Sequence, residues 1–300
     1  MITLSLFNLD KFYLFGDQSV ETKNNGIKDK KIGIIGVGTI GGTLVEALVK
    51  NDIVRAENIF GSTSHEESAK SVAEKYGIES TTDNEAVVNR SDIVVLAVEP
   101  QMIETVLDEV SFAFSPDQLV ISVAAGITTE FIEAKLDREI PVARSMPNTA
   151  ITVNSGATTL VAGEYADEAE LKMAKEIFEP VGLVEVVKDE KLMDAITGFS
   201  GSGPAYGYLI IEALIEAGVR VGLPRERATK LAAQSLLGAA KMVLETDEHP
   251  AKLKDMVTTP AGVTVDAIMK LEEGGVRVAF FKAIEEATEK SKQLKIDEDT

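Results

Sequence analysis

Apolar positions follow two different periods along this chain, and the change from one to the other falls near residue 188. Ile32, Ile34 and Ile35 form a short apolar run, the pattern of a strand buried on both faces. Leu44, Val45, Leu48 and Val49 follow at helical spacing. The alternation continues, with strands predicted over residues 58–62, 77–80, 91–98, 119–126, 141–146, 155–162 and 184–187. Helices are predicted over 66–76, 84–90, 102–110 and 164–179. Strands alternating with helices imply an α/β fold built on one doubly wound parallel sheet. After residue 189 only the helical period remains. Residues 191–221 read as one long segment interrupted by Ser200-Gly201-Ser202-Gly203-Pro204, and Pro224 sits at the first turn of a helix over 224–244. That helix is apolar on several sides, so it must be buried. A small helical domain has little core in which to hide it, so the helices are expected to pack against those of a second chain. Residues 1–30 fit neither period and are expected to be a poorly ordered, dispensable extension.

The first strand ends in Gly36-Val37-Gly38-Thr39-Ile40-Gly41, and a helix follows at once. Strand, glycine turn and helix form the context in which G-x-G-x-x-G signals a dinucleotide site. Gly36 permits the tight turn, Gly38 lets a pyrophosphate approach the backbone, and Gly41 allows close helix–strand packing. The helix start offers N–H groups and a partial positive charge to that pyrophosphate. Residues 31–188 are therefore read as a Rossmann-like dinucleotide-binding domain and residues 189–300 as an all-helical domain for dimerisation and substrate.

The second strand ends in Ser62-Thr63-Ser64-His65, where folds of this kind meet the adenosine ribose. Two like charges ~5 Å apart at an effective dielectric of ~20 repel by about 3 kcal/mol. Hydroxyls in place of a carboxylate leave room for the 2′-phosphate of NADP, so NADPH is read as preferred, with NADH as the other possibility. The same hydroxyls also suit an ordinary helix cap before Glu66.

Composition narrows the chemistry. The absence of cysteine among 300 residues excludes disulfides, thiolate metal sites and a cysteine nucleophile. Two histidines far apart make a histidine metal site unexpected. A formal net charge of −19 argues against nucleic acid and anionic membranes as partners. No apolar run approaches the roughly 18 residues of a membrane span, and no secretory signal is evident, so a cytoplasmic protein is expected.

In the helical half, Thr258-Thr259-Pro260-Ala261-Gly262-Val263-Thr264 precedes a helix predicted over 265–271. Thr259 and Pro260 read as an N-cap followed by a first-turn proline. The N–H groups of Gly262, Val263 and Thr264 would then face outward, a natural carboxylate site. Plain capping accounts for the same residues.

Taken together, these stretches resemble the Δ1-pyrroline-5-carboxylate reductases, the last enzymes of proline biosynthesis. The resemblance rests on the glycine turn, AVEPQ at 97–101, RSMPNTA at 144–150, SGSGPAYGYLIIEAL at 200–214 and DMVTTPAGVTVDAI at 255–268. It implies hydride transfer from NADPH or NADH to C5 of a five-membered cyclic imine, giving L-proline. Cofactor residues implied are Ile35, Gly36, Val37, Gly38, Thr39, Ile40, Ser62, Thr63, Asn84, Ala97, Val98, Glu99, Pro100, Ala124, Ala125 and Gly126. Substrate residues implied are Asp247, Thr259, Gly262, Val263 and Thr264, with Thr264 the catalytic residue that orients the imine. The family's usual lysine before the proline of its VKPQ-like motif is Glu99 here, and Ala261 replaces a usual glycine. Two other readings stay open. One is another imine or hydroxyacid reductase on the same sheet, with Lys191 or Lys230 as its lysine. The other is a non-catalytic NADP-binding protein.

Overall fold

The computed structural model describes residues 26–136 and 138–293. Most of the extension assigned to residues 1–30 lies outside the described residues. Within it, Ile27 is fully buried and its N–H donates to Glu176 Oε2 at 3.2 Å.

Eight strands form one sheet: β1 (Ile32–Ile35), β2 (Ile59–Ser62), β3 (Glu79–Thr81), β4 (Ile93–Leu96), β5 (Leu119–Ser122), β6 (Val142–Pro147), β7 (Gly156–Ala162) and β8 (Gly182–Val186). Their order is β3-β2-β1-β4-β5-β6-β7-β8. The pairings from β3 across to β6 are all parallel. Every residue of β1, β4 and β5 is buried, because helices cover both faces of the sheet. Side chains alternate between two cores. Ile32, Ile34, Ile93, Val95 and Ile121 enter one, while Ile35, Val94, Leu96 and Val120 enter the other. The helices of this half are α1 (Thr39–Lys50), α2 (Glu66–Tyr76), α3 (Asn84–Val88), α4 (Ile103–Val110), α5 (Thr129–Leu136) and α6 (Glu168–Phe178).

Several boundaries differ from the sequence expectation, each for a local reason. The third strand starts at Glu79 because Gly77, at φ 70°, closes α2 with its N–H on the Ala73 carbonyl. Helix α6 starts at Glu168 because Asp167 and Glu170 form a capping box there. Strand β7 runs antiparallel to β6, and β8 pairs parallel to β7. Only a short 3₁₀ turn (Thr149–Val153) joins β6 to β7, too little chain for the crossover that a parallel neighbour requires.

The helical half holds α7 (Leu192–Ile196), a π-helical turn (Thr197–Gly201), α8 (Gly203–Arg220), α9 (Arg225–Thr246), α10 (Pro250–Met256), α11 (Val263–Glu273) and α12 (Val276–Gln293). At the predicted interruption over residues 200–204, the π-helical turn ends at Gly201, Ser202 is a bend, and α8 starts afresh with Pro204 in its first turn. Pro224 is the N-cap of α9 at ψ 136°, one position before the predicted first turn. In a single chain α8 buries no residue and α9 only Ala228. Tyr208, Leu209, Leu231 and Leu237 are exposed, so the apolar faces that the sequence assigns to burial are open.

A buried ion pair ties the two halves. Arg144 of β6 is 2% exposed and its Nη1 donates to Glu190 Oε1 at 2.9 Å. The same carboxylate accepts the Thr129 N–H at 3.0 Å and the Thr129 hydroxyl at 2.7 Å. Removing one partner of such a pair strands the other charge. Glu190→Ala is expected to lower stability by about 3 kcal/mol, read as a fall in the urea midpoint.

Candidate active site

The crevice of a doubly wound sheet opens where the strand order reverses, here between β1 and β4. The turn after β1 is fixed from beneath by β2. The N–H groups of Gly36 and Val37 both donate to the Ser62 carbonyl, at 3.1 and 2.9 Å, and the Gly38 N–H donates to the Gly36 carbonyl at 2.8 Å. Helix α1 then begins at Thr39 with Gly38 as N-cap and no side-chain cap. The N–H groups of Thr39, Ile40 and Gly41 are the first-turn donors that an α-helix leaves without intrahelical partners.

The three glycines differ as their assigned tasks require. Gly36 has φ 92°, and a Cβ there would stand 2.8 Å from the Ala97 carbonyl oxygen. A Cβ on Gly41 would stand 2.5 Å from the Gly36 oxygen. A Cβ on Gly38 would meet nothing within 4 Å, so this backbone faces open space.

That space is a cleft of about 660 Å³, a volume suited to part of a dinucleotide. It gathers Ile35, Gly36, Val37, Gly38, Ser62, Thr63, Asn84, Ala97, Val98 and Glu99 from the expected cofactor residues. Thr39 lines an adjoining cavity of about 690 Å³ that shares Val37, Gly38 and Ser68 with the cleft. Ile40 is half-buried against the core beside it. Pro100 opens a 3₁₀ turn (Pro100–Met102) at the end of β4. Ala124, Ala125 and Gly126 follow β5, whose end is bound to that of β4 through the Val123 N–H on the Leu96 carbonyl at 3.1 Å. These last four residues lie beside the cleft without lining it.

Met102, Thr105 and Glu109 also line the cleft, and the sequence reading missed all three. Their signal was weak, because they sit on α4 and the turn before it, away from the strand ends. Glu99 is exposed at the rim and pairs with Gln101 Nε2. Ser62 Oγ donates to Asn84 Oδ1 at 2.6 Å, and Asn84 Nδ2 donates to Glu109 Oε2 at 3.0 Å. The Ser/Thr cluster does not cap α2. Its N-cap is His65, which makes no side-chain cap bond.

The second expected site has a different local geometry from the one predicted. The N-cap of α11 is Gly262, and Thr259 and Pro260 precede it in a tight turn. The Gly262 N–H donates to the Thr259 carbonyl at 2.9 Å. Ala261 takes φ 57°, the left-handed conformation that a type II turn requires of its third residue. The usual glycine is better suited to it. With the Gly262 N–H engaged, Val263 and Thr264 carry the outward donors of the first turn. Val263 is 88% exposed and Thr264 half-buried. Asp247 closes α9 at φ 54°, nine residues after Gly238 and three before α10. Among the described residues lining the cleft, none comes from the helical half. A single chain therefore keeps the two donor-bearing helix starts in separate surroundings.

A switch-point cleft with a glycine turn and an open helix start defines a dinucleotide-binding enzyme of the Rossmann type. Residues 31–126 match the family described as NADP oxidoreductase, coenzyme F420-dependent, and residues 190–294 that described as pyrroline-5-carboxylate reductase dimerisation. A pyrroline-5-carboxylate reductase of Methanosarcina acetivorans is 46% identical over 268 residues, spanning 89% of this chain and 99% of that relative. A solved pyrroline-5-carboxylate reductase from Coxiella burnetii superposes with a TM-score of 0.86 at 39% identity, covering 89% of this chain and 99% of that one. The Plasmodium falciparum pyrroline carboxylate reductase with NADP bound gives 0.79 at 30% identity, covering 90% and 99%. The chain belongs to the pyrroline-5-carboxylate reductase family.

The glycine geometry separates folding from binding. Gly36→Ala forces a side chain into a left-handed turn against backbone and is expected to lower stability by at least about 1 kcal/mol. Gly38→Ala should leave the thermal midpoint near wild type while weakening dinucleotide binding roughly tenfold, measured by fluorescence titration.

Proposed function

We propose that this protein reduces 1-pyrroline-5-carboxylate to L-proline, the last step of proline biosynthesis, in the cytoplasm and as a homodimer. The observation that supports the reading is the presence in one chain of two donor-bearing helix starts. One, at α1, opens on the cleft at the sheet's switch point, and the other, at α11, follows the Thr259-Pro260-Ala261-Gly262 turn. The bound NADPH or NADH supplies the hydride, from nicotinamide C4 to the imine C5. The protein holds the imine against the nicotinamide face at near-contact distance, which turns a bimolecular encounter into an intramolecular step.

The substrate carboxylate belongs at the start of α11, where the N–H groups of residues 262–264 and the helix dipole suit an anion. With Gly262 engaged in its turn, Val263 and Thr264 bear most of this role. The Thr264 hydroxyl both donates and accepts. A threonine hydroxyl is a poor acid, so it orients the imine nitrogen and the proton comes through water. Asp247, which closes α9, and Thr259, the first residue of the turn, complete the proposed substrate set. Ala124, Ala125, Gly126 and Pro100, at the strand ends beside the cleft, fit the nicotinamide half of the cofactor.

The apolar faces of α8 and α9 stand open in one chain, and a second copy is the occupant that fits them. In that arrangement the partner's α11 turn approaches the cleft that a single chain leaves without helical lining. A reading with a catalytic lysine has less support. Lys230 pairs with Glu226 on the surface of α9, and Lys191 is exposed as the N-cap of α7.

Thr264→Ala is expected to lower kcat/KM for pyrroline-5-carboxylate between ten- and a hundredfold, roughly 1.4 to 2.7 kcal/mol, with the KM for cofactor within about twofold. Turnover equal to wild type would sink the assignment of Thr264. Light scattering at micromolar concentration should give the mass of a dimer or a larger assembly, and a monomer would refute the packing of the helical faces.

A further inference from the structure

We propose that Ser145 of β6 is a positioning residue for hydride transfer: its hydroxyl, through the Ser122 carbonyl, holds the Ala124–Gly126 loop against the place of the nicotinamide ring. The proposal rests on the reading above that this loop meets the nicotinamide half of the cofactor.

The loop has no means of fixing itself. Val123, Ala124, Ala125, Gly126 and Ile127 carry no polar side chain, so their backbone takes its position from groups outside the loop. Gly126, at φ 78°, adds the conformational freedom of glycine. Of the five, Ala125 is half-buried and the rest are buried, so Ala125 is the part most open to a ligand.

Two consecutive residues of β6, on opposite faces of the sheet, hold the two ends of this loop. Ser145 takes the start. It is fully buried, and its Oγ donates to the Ser122 carbonyl at 2.8 Å. Ser122 is also fully buried, and its own Oγ accepts the Ala124 N–H at 3.2 Å. The Val123 N–H between them donates to the Leu96 carbonyl of β4 at 3.1 Å. Arg144 takes the end. It stands beside Ser122 in the sheet register, and its partner Glu190 accepts both the N–H and the hydroxyl of Thr129, just beyond the loop.

One neutral hydrogen bond adds little to global stability. A reacting group displaced by about 1 Å, by contrast, loses roughly a hundredfold in rate. Loss of the Ser145 bond is therefore felt at the reacting ring before it is felt in folding. The glycine turn at the start of α1 is anchored separately, on the Ser62 carbonyl, so the rest of the dinucleotide keeps its place.

The test uses the full chain and two readouts, the first of which needs no substrate. NADPH and NADH are titrated separately by the fluorescence of the reduced ring. ADP-ribose and its 2′-phosphate, which lack the ring, are titrated by calorimetry. Ser145→Ala is expected to cut the change in ring emission on binding at least ~2-fold, while the ring-free fragments bind within about twofold of wild type. In the second readout, single-turnover hydride transfer to pyrroline-5-carboxylate should slow about 10-fold, with the KM for that substrate within about twofold. Thr129→Val loosens the other end of the loop and leaves the Arg144–Glu190 pair in place. It should act in the same direction, and it decides the matter if Ser145→Ala does not fold. Ring emission or hydride transfer that stays within twofold of wild type overturns the proposal. So does equal weakening of fragments and dinucleotides, which marks damage to the whole cleft. The expected loss of ring emission in a protein whose wild type does not turn over pyrroline-5-carboxylate upholds the positioning role and removes the substrate assignment. A wild type that binds neither dinucleotide removes both.

Discussion

The carbonyl oxygen of Ser62 holds the glycine turn in place. It accepts the N–H groups of both Gly36 and Val37, so the last residue of β2 anchors the turn that follows β1. A turn this tight needs Gly36 in a conformation other residues resist, and its backbone then passes close under Ala97 and Val98 of the neighbouring strand end. Three parallel strands are thereby drawn together at their carboxyl ends. The start of α1 is aimed over the crevice as a result. Because the Ser62 side chain reaches on to Asn84, the same residue also passes the order of the glycine turn to α3 and α4.

The sheet end thus supplies a rigid, donor-bearing shelf, while the helical half supplies a second helix start and a large apolar surface. The Arg144–Glu190–Thr129 cluster fixes how one leads into the other, at the residue where the family match for dimerisation begins. A buried charge pair adds little net stability against an apolar alternative. Its directional hydrogen bonds instead fix the chain where it leaves β8 for the helical half.

Much of this was legible in the chain, for reasons that vary along it. Strands β1, β4 and β5 stood out because parallel strands buried on both faces read as unbroken apolar runs. The glycine turn stood out because three glycines serve three different backbone needs. The reversed direction of β7 was not legible, since apolar periodicity carries no strand direction and only the short Thr149–Val153 link decides it. Helix α5 was missed because its apolar residues form no clean stripe. Of the residues lining the cleft, Ile35, Ser62 and Ala97 at strand ends are among those read from the sequence, and Met102, Thr105 and Glu109 are not. Their membership depends on how α4 lies across the sheet edge, a tertiary fact. The α11 start was located correctly in general terms. Its cap was misplaced because Thr-Pro suits a tight turn as well as a helix start, and Ala261 in the left-handed region settles it as a turn.

The π-helical turn at Thr197–Gly201 has a geometric reach far beyond its own length. The Ser202 N–H closes on the Thr197 carbonyl, five residues back, and the carbonyls it displaces are taken by Tyr206 Oη at Gly198 and Asn148 Nδ2 at Ser200. One surplus residue in a helix turns everything after it by about 100° around the axis. This turn and the bend at Ser202, locked by the tyrosine and asparagine, therefore precede and help to set the bearing of α8, and with it the apolar stripe formed by Tyr208 and Leu209. Adding or removing one such residue would redirect an entire apolar face without altering any side chain on it.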